Sequence, residues 1–62
     1  MRIIIDAMGG DNAPQINIDG AKLALEKIST LDKLYLVGDE CMLKKACDAA
    51  GISSNPKLEI VH

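Results

Sequence analysis

Three short apolar runs along the chain alternate with two longer stretches in which apolar residues recur at helical spacing. Ile3-Ile4-Ile5, inside Arg2 to Asp6, is too short for a helix, is wholly β-branched and ends at an acid followed by glycines, which predicts a buried strand. From Pro14 to about Ser29 the period changes, with Ile16, Gly20, Leu23, Ala24 and Ile28 on one stripe of a helix. Pro14 suits a first helical turn, and Asp11 or Asn12 suits the cap. Gly20 inside that helix costs about 1 kcal/mol relative to Ala, so it predicts close packing against a sheet. After a turn at Thr30 to Lys33, Leu34-Tyr35-Leu36-Val37-Gly38 reads as a second strand, and Asp39 as the cap of a second helix. That helix, Glu40 to Ala50, places Met42, Leu43, Ala46, Ala49 and Ala50 on its apolar face, with Lys44, Lys45 and Asp48 toward water and Gly51 at its end. Ser53-Ser54-Asn55-Pro56 is a loop, and Leu58 to Val61 begins a third strand.

The order β-α-β-α-β assigns the chain to the α/β class, because crossovers of this length demand parallel strands and right-handed connections. Two helices on a three-stranded sheet cover one face or half-cover both, and either outcome leaves apolar surface in water. Further chain or a partner is therefore expected. Size argues the same way: 62 residues with one aromatic side chain, Tyr35, fall below the roughly 70–80 at which a single core suffices. The sequence also stops in mid-strand by pattern, at His62.

A formal charge of −2 supplies no basic field, so nucleic acid is not an expected partner of this segment. The apolar runs are far shorter than the roughly 20 residues that span a bilayer, and the start has a strand pattern rather than that of a signal peptide, so a cytoplasmic setting is expected. Cys41 and Cys47 lie six apart on one helix, point in different directions and match no metal or redox spacing; reduced structural thiols are the expectation.

The chemistry concentrates in Asp6-Ala7-Met8-Gly9-Gly10-Asp11-Asn12-Ala13-Pro14, the turn from first strand to first helix. A helix start presents N–H groups without intrahelical partners together with partial positive charge, and glycines let an anion approach the main chain. The functional reading of Gly9 and Gly10 is a phosphate cradle; the plainer one is a tight turn. Asp6 and Asp11 would repel a bare phosphate, and no Lys or Arg lies in the turn, so a balancing cation must come from elsewhere. The turn lacks both GxGxxG and GxxxxGK[ST], which leaves nicotinamide binding and ATP hydrolysis without motif support. Asp6 is open to three roles: metal ligand, general base, or acceptor for the turn's own N–H groups. In open α/β sheets ligands lie beyond the carboxyl ends of strands, which gathers this turn, Gly38-Asp39 and His62 at one edge. There His62 is a candidate general acid or base, and Gly38-Asp39 reads more simply as turn and cap.

The opening MRIIIDAMGGDNAP, then Leu36-Val37-Gly38-Asp39-Glu40 and Ile60-Val61-His62, resembles the amino-terminal part of the bacterial phosphate acyltransferase family, PlsX. The resemblance runs through the whole chain but reaches only about the first fifth of such proteins. It implies a Rossmann-like three-layer α/β/α fold, of which residues 1–62 are the first β-α-β-α-β part of a single domain. It further implies transfer of a fatty acyl group from acyl carrier protein to inorganic phosphate, giving acyl phosphate for phospholipid synthesis. A cytoplasmic homodimer, peripheral at the membrane and without a cofactor or metal, is the implied setting. Asp6, Gly9, Gly10, Asp11 and Asn12 then belong to the phosphate side of the site, with Asp6 and His62 as catalytic candidates. The alternatives are an inactive remnant or small interaction module, and a metal-dependent phosphohydrolase using Asp6.

Overall fold

The computed structural model describes residues 1–10 and 13–62. Strand β1 (Arg2–Asp6), helix α1 (Gln15–Lys27), strand β2 (Lys33–Val37), helix α2 (Glu40–Ala50) and strand β3 (Leu58–Val61) follow one another in the expected order. The strands make one parallel sheet, β1-β2-β3, in which Ile3 stands beside Leu34 and Leu34 beside Leu58. Both crossovers step the same way across the sheet, so connections of one hand lay both helices on the same face. There α1 and α2 pack together. Ile18 and Ala21 of α1, Leu43 and Cys47 of α2, and Leu34 and Leu36 of β2 meet in a core at 0% exposure. The fold is α/β, the β-α-β-α-β portion of a Rossmann-like arrangement, and of the two coverings open to the sequence it takes the one-sided one.

Alternation along a strand sends every second side chain to the uncovered face. Ile3 and Ile5 face the helices, half-buried, while Ile4 between them is 73% exposed, so the isoleucine run is not buried throughout. Tyr35, Val37 and Val61 share that open face with Ile4.

Helix α1 corrects the sequence reading in its register. Ile18 and Ala21 are its buried residues, Ala24, Leu25 and Ile28 pack beside them, and Ile16 and Leu23 point outward. Gly20 is exposed, with open space where a Cβ would stand, so close packing does not explain it. The helix begins one residue later than expected, at Gln15, with Pro14 as its N-cap and no side-chain cap bond. Capping by Asp11 or Asn12 falls on residues outside those described.

Helix α2 follows its signals closely. Asp39 Oδ1 accepts a bond from Met42 N–H at 3.0 Å, and Gly51 ends the helix in the left-handed region, φ 77°. Leu43, Ala46 and Ala50 face inward with Cys47, whereas Met42 and Ala49 are exposed. Cys47 is buried and Cys41 exposed, both free thiols, which agrees with their expected divergence. In the following loop Asn55 does the ordering, its side chain accepting from Lys57 N–H and its carbonyl from Leu58 N–H.

Candidate functional site

The rim at the carboxyl ends of the strands is tied together by main-chain bonds that continue the sheet for one residue more. Ala7 N–H donates to Val37 O and Gly38 N–H to Val61 O, each at 3.0 Å. The segments after β1, β2 and β3 therefore share one edge, as the parallel order requires. Gly9, Gly10, Gly38, Asp39 and His62 all lie there.

After Asp6 the chain folds back in a tight turn. The Asp6 carboxylate accepts from Met8 N–H at 3.2 Å, and its main-chain carbonyl accepts from Gly9 N–H at 3.4 Å. Of the three roles open to Asp6, acceptor for the turn is the one its contacts display. Gly10 has φ +96°, a region costly for a side-chain-bearing residue, and a Cβ there would meet nothing within 4 Å. Its freedom is thus a matter of backbone rather than of space. Gly9 has no such φ, and a Cβ on it would make only ordinary contact with Asp6, at 3.7 Å from the nearest atom. The two glycines are not equivalent.

Asn17, in the first turn of α1, reaches back over this turn. Its Nδ2 donates to Ala7 O at 3.0 Å and to Gly9 O at 3.1 Å, so one amide bridges two carbonyls of the loop. The second strand is coupled to the same turn by steric fit: a Cβ on Gly38 would stand 2.7 Å from Met8 Cγ. Gly38 is therefore more than the ordinary turn residue that its sequence context suggests.

Two helix starts lie at this rim. In α2, Asp39 caps Met42 N–H and His62 Nδ1 accepts from Glu40 N–H at 3.2 Å, so its own chain engages two of its first-turn donors. In α1 the first intrahelical bond runs from Ile18 N–H to Pro14 O at 2.9 Å, which places the N–H groups of Gln15, Ile16 and Asn17 ahead of the helical ladder. This second helix start is the one behind the glycine turn. Residues 6–17 contain no Lys or Arg, so what this segment itself offers an anion is its N–H dipoles. Asp11 and Asn12 lie outside the described residues.

The family model for "Fatty acid synthesis protein" matches residues 1–62. The chain belongs to this family. It is 52% identical over 61 residues to a phosphate acyltransferase of Akkermansia muciniphila, covering 98% of this chain and 17% of that one. Similar proteins of the same name occur in Clostridioides difficile, at 44% over 62 residues, and in Idiomarina loihiensis, at 39% over 62 residues; the whole chain is covered, against 17% and 18% of theirs. The chain thus spans less than a fifth of the length of these relatives. No solved structure matches it.

In this chain, sequence reasoning overlooked Asn17 and Met8. Asn17 did carry a signal: Asn is a weak helix former whose amide favours local main-chain partners, and it stands in the first turn directly after a loop rich in exposed carbonyls. Met8 carried none, because its contact with Gly38 joins residues thirty positions apart.

Proposed function

We propose that these residues form the phosphate side of an enzyme that transfers a fatty acyl group from acyl carrier protein to inorganic phosphate, giving acyl phosphate for phospholipid synthesis. One observation carries the reading: the Gly9-Gly10 turn stands before the start of α1, on the edge where α/β sheets take their ligands, in a chain similar throughout to proteins named phosphate acyltransferase. A phosphate oxygen attacks the thioester carbonyl carbon, the C–S bond breaks, and the carrier's thiolate leaves. Such chemistry depends chiefly on holding the acceptor in place and on donors for the developing oxyanion.

In this assignment Gly9, Gly10, Asp11 and Asn12 line the phosphate. Asp6 serves them by fixing the turn through Met8 N–H, a contact that supports this role over metal ligation in a phosphohydrolase. His62 Nδ1 accepts from Glu40 N–H, which puts the neutral ring's proton on Nε2 and leaves that N–H to donate to a substrate oxygen. Cations that balance the phosphate come from the remaining polypeptide. Residues 1–62 are the first part of a single α/β domain, inactive without the remainder, in a cytoplasmic homodimer that touches the membrane peripherally.

The test uses the complete enzyme containing this segment, incubated with acyl carrier protein thioester and inorganic phosphate, with acyl phosphate trapped as hydroxamate. Acyl phosphate is expected, and Gly10→Ala is expected to raise the KM for phosphate while leaving that for the thioester near its wild-type value. Absence of acyl phosphate from the unaltered enzyme, or magnesium-dependent release of phosphate from phosphoesters in its place, defeats the proposal.

A further inference from the structure

Beyond the residues of the glycine turn itself, we infer that Asn17 is a positioning residue that sets the orientation of the phosphate-binding main chain. This rests on the phosphate reading of the turn. A trans peptide points its C=O and N–H in opposite directions, so fixing one end of the unit fixes the other. The Ala7–Met8 peptide is held at both ends, its carbonyl by Asn17 Nδ2 at 3.0 Å and its N–H by Asp6 Oδ1 at 3.2 Å. The Gly9–Gly10 peptide is held by its carbonyl, again by Asn17 Nδ2, at 3.1 Å, and this sets the direction of Gly10 N–H at the residue where φ turns positive. Without the clamp, a glycine pair is the most freely rotating stretch a chain can contain, and an anion would have to order it on binding. The clamp also draws two carbonyl oxygens toward α1, so that their partial negative charge is neutralised by the amide rather than turned on the ligand.

The experiment compares the complete enzyme with its Asn17→Ala variant in three measurements: KM for inorganic phosphate, KM for acyl carrier protein thioester, and Kd for inorganic phosphate by calorimetry. Ala removes both donors while favouring the helix, so α1 persists. Freeing the Gly9–Gly10 pair, which the anion must then order on binding, predicts a rise of roughly tenfold in phosphate KM and Kd, with thioester KM within about twofold of wild type. An unchanged phosphate KM and Kd, or an equal rise for both substrates, overturns the clamp while leaving acyl phosphate formation intact. An unaltered enzyme that neither binds phosphate nor makes acyl phosphate overturns the reading of the turn and the clamp with it. If the Ala variant fails to fold, Asn17→Leu, close to Asn in size and without a donor, is judged by the same criteria.

Discussion

Two glycines separate what composition alone treats as one kind of position. Gly38 faces Met8 at a distance no Cβ tolerates, 2.7 Å to Cγ, and Met8 is itself held by the turn through its N–H. Gly38→Ala is therefore expected to destabilise by about 1–3 kcal/mol, the usual cost of overpacking. Gly20 stands in mid-helix with open space about it, and Gly20→Ala is expected to stabilise by about 1 kcal/mol. Denaturant unfolding of the two variants in the complete protein checks both signs at once. A destabilising Gly20→Ala would restore the close-packing explanation that the sequence suggested. Neither residue differs in kind from Gly9 or Gly51 when read as a letter, and only the neighbours assign their parts.

Helix α2 was legible because its signals are local: a cap at Asp39, an apolar face and a left-handed glycine stop all act within a turn or two of the chain. Its thiols give the element-scale prediction. Burial, with a smaller push from Asp48, raises the Cys47 thiol above its ordinary value of 9.0. A folded-state value above the unfolded one favours the neutral thiol, so this stabilisation is complete below pH 9.0 and is lost as pH rises through the folded value. Alkaline unfolding is expected to retreat to higher pH in Cys47→Ala, with some loss of packing at neutral pH. Thiol labelling of the native chain at neutral pH is expected to modify the exposed Cys41 at once and Cys47 only on unfolding. Helix α1 was less legible, for it carries two apolar stripes. Ile16 and Leu23 are as apolar as Ile18 and Leu25, and period alone cannot say which stripe meets the sheet.

At the scale of the whole molecule, the rim opposite the glycine turn is closed by the amino terminus, tied to the loop that precedes β2. The Met1 amino group is paired with the Asp32 carboxylate and donates to Thr30 O at 3.0 Å. The hydrogen bond from the amino terminus, and then its charge, hold the Asp32 carboxyl below its ordinary value of 3.8. That stabilisation is present above pH 3.8 and disappears as pH falls through the lower folded value. Acetylating the amino terminus is expected to return the Asp32 titration, followed by carboxyl NMR shifts, toward 3.8. The open sheet face has its own consequence. With Ile4 at 73% exposure beside Tyr35, on one face with Val37 and Val61, the 62-residue chain by itself is expected to bind a hydrophobic dye and self-associate, and Ile4→Thr to reduce both without weakening the fold by more than about 0.5 kcal/mol. Analytical ultracentrifugation and dye fluorescence measure the change.

The strands, the helices, their order and the edge of the sheet that gathers the glycine turn, Gly38 and His62 were determined by the sequence alone, since period, turn chemistry and the handedness of crossovers all act locally or by topology. Which stripe of α1 is buried, which face of the sheet stays open, and the pairings of Met8 with Gly38 and of Asn17 with Ala7 and Gly9 were decided only by tertiary structure. Those outcomes depend on which surfaces meet when distant segments dock, and no local preference along the chain encodes that choice.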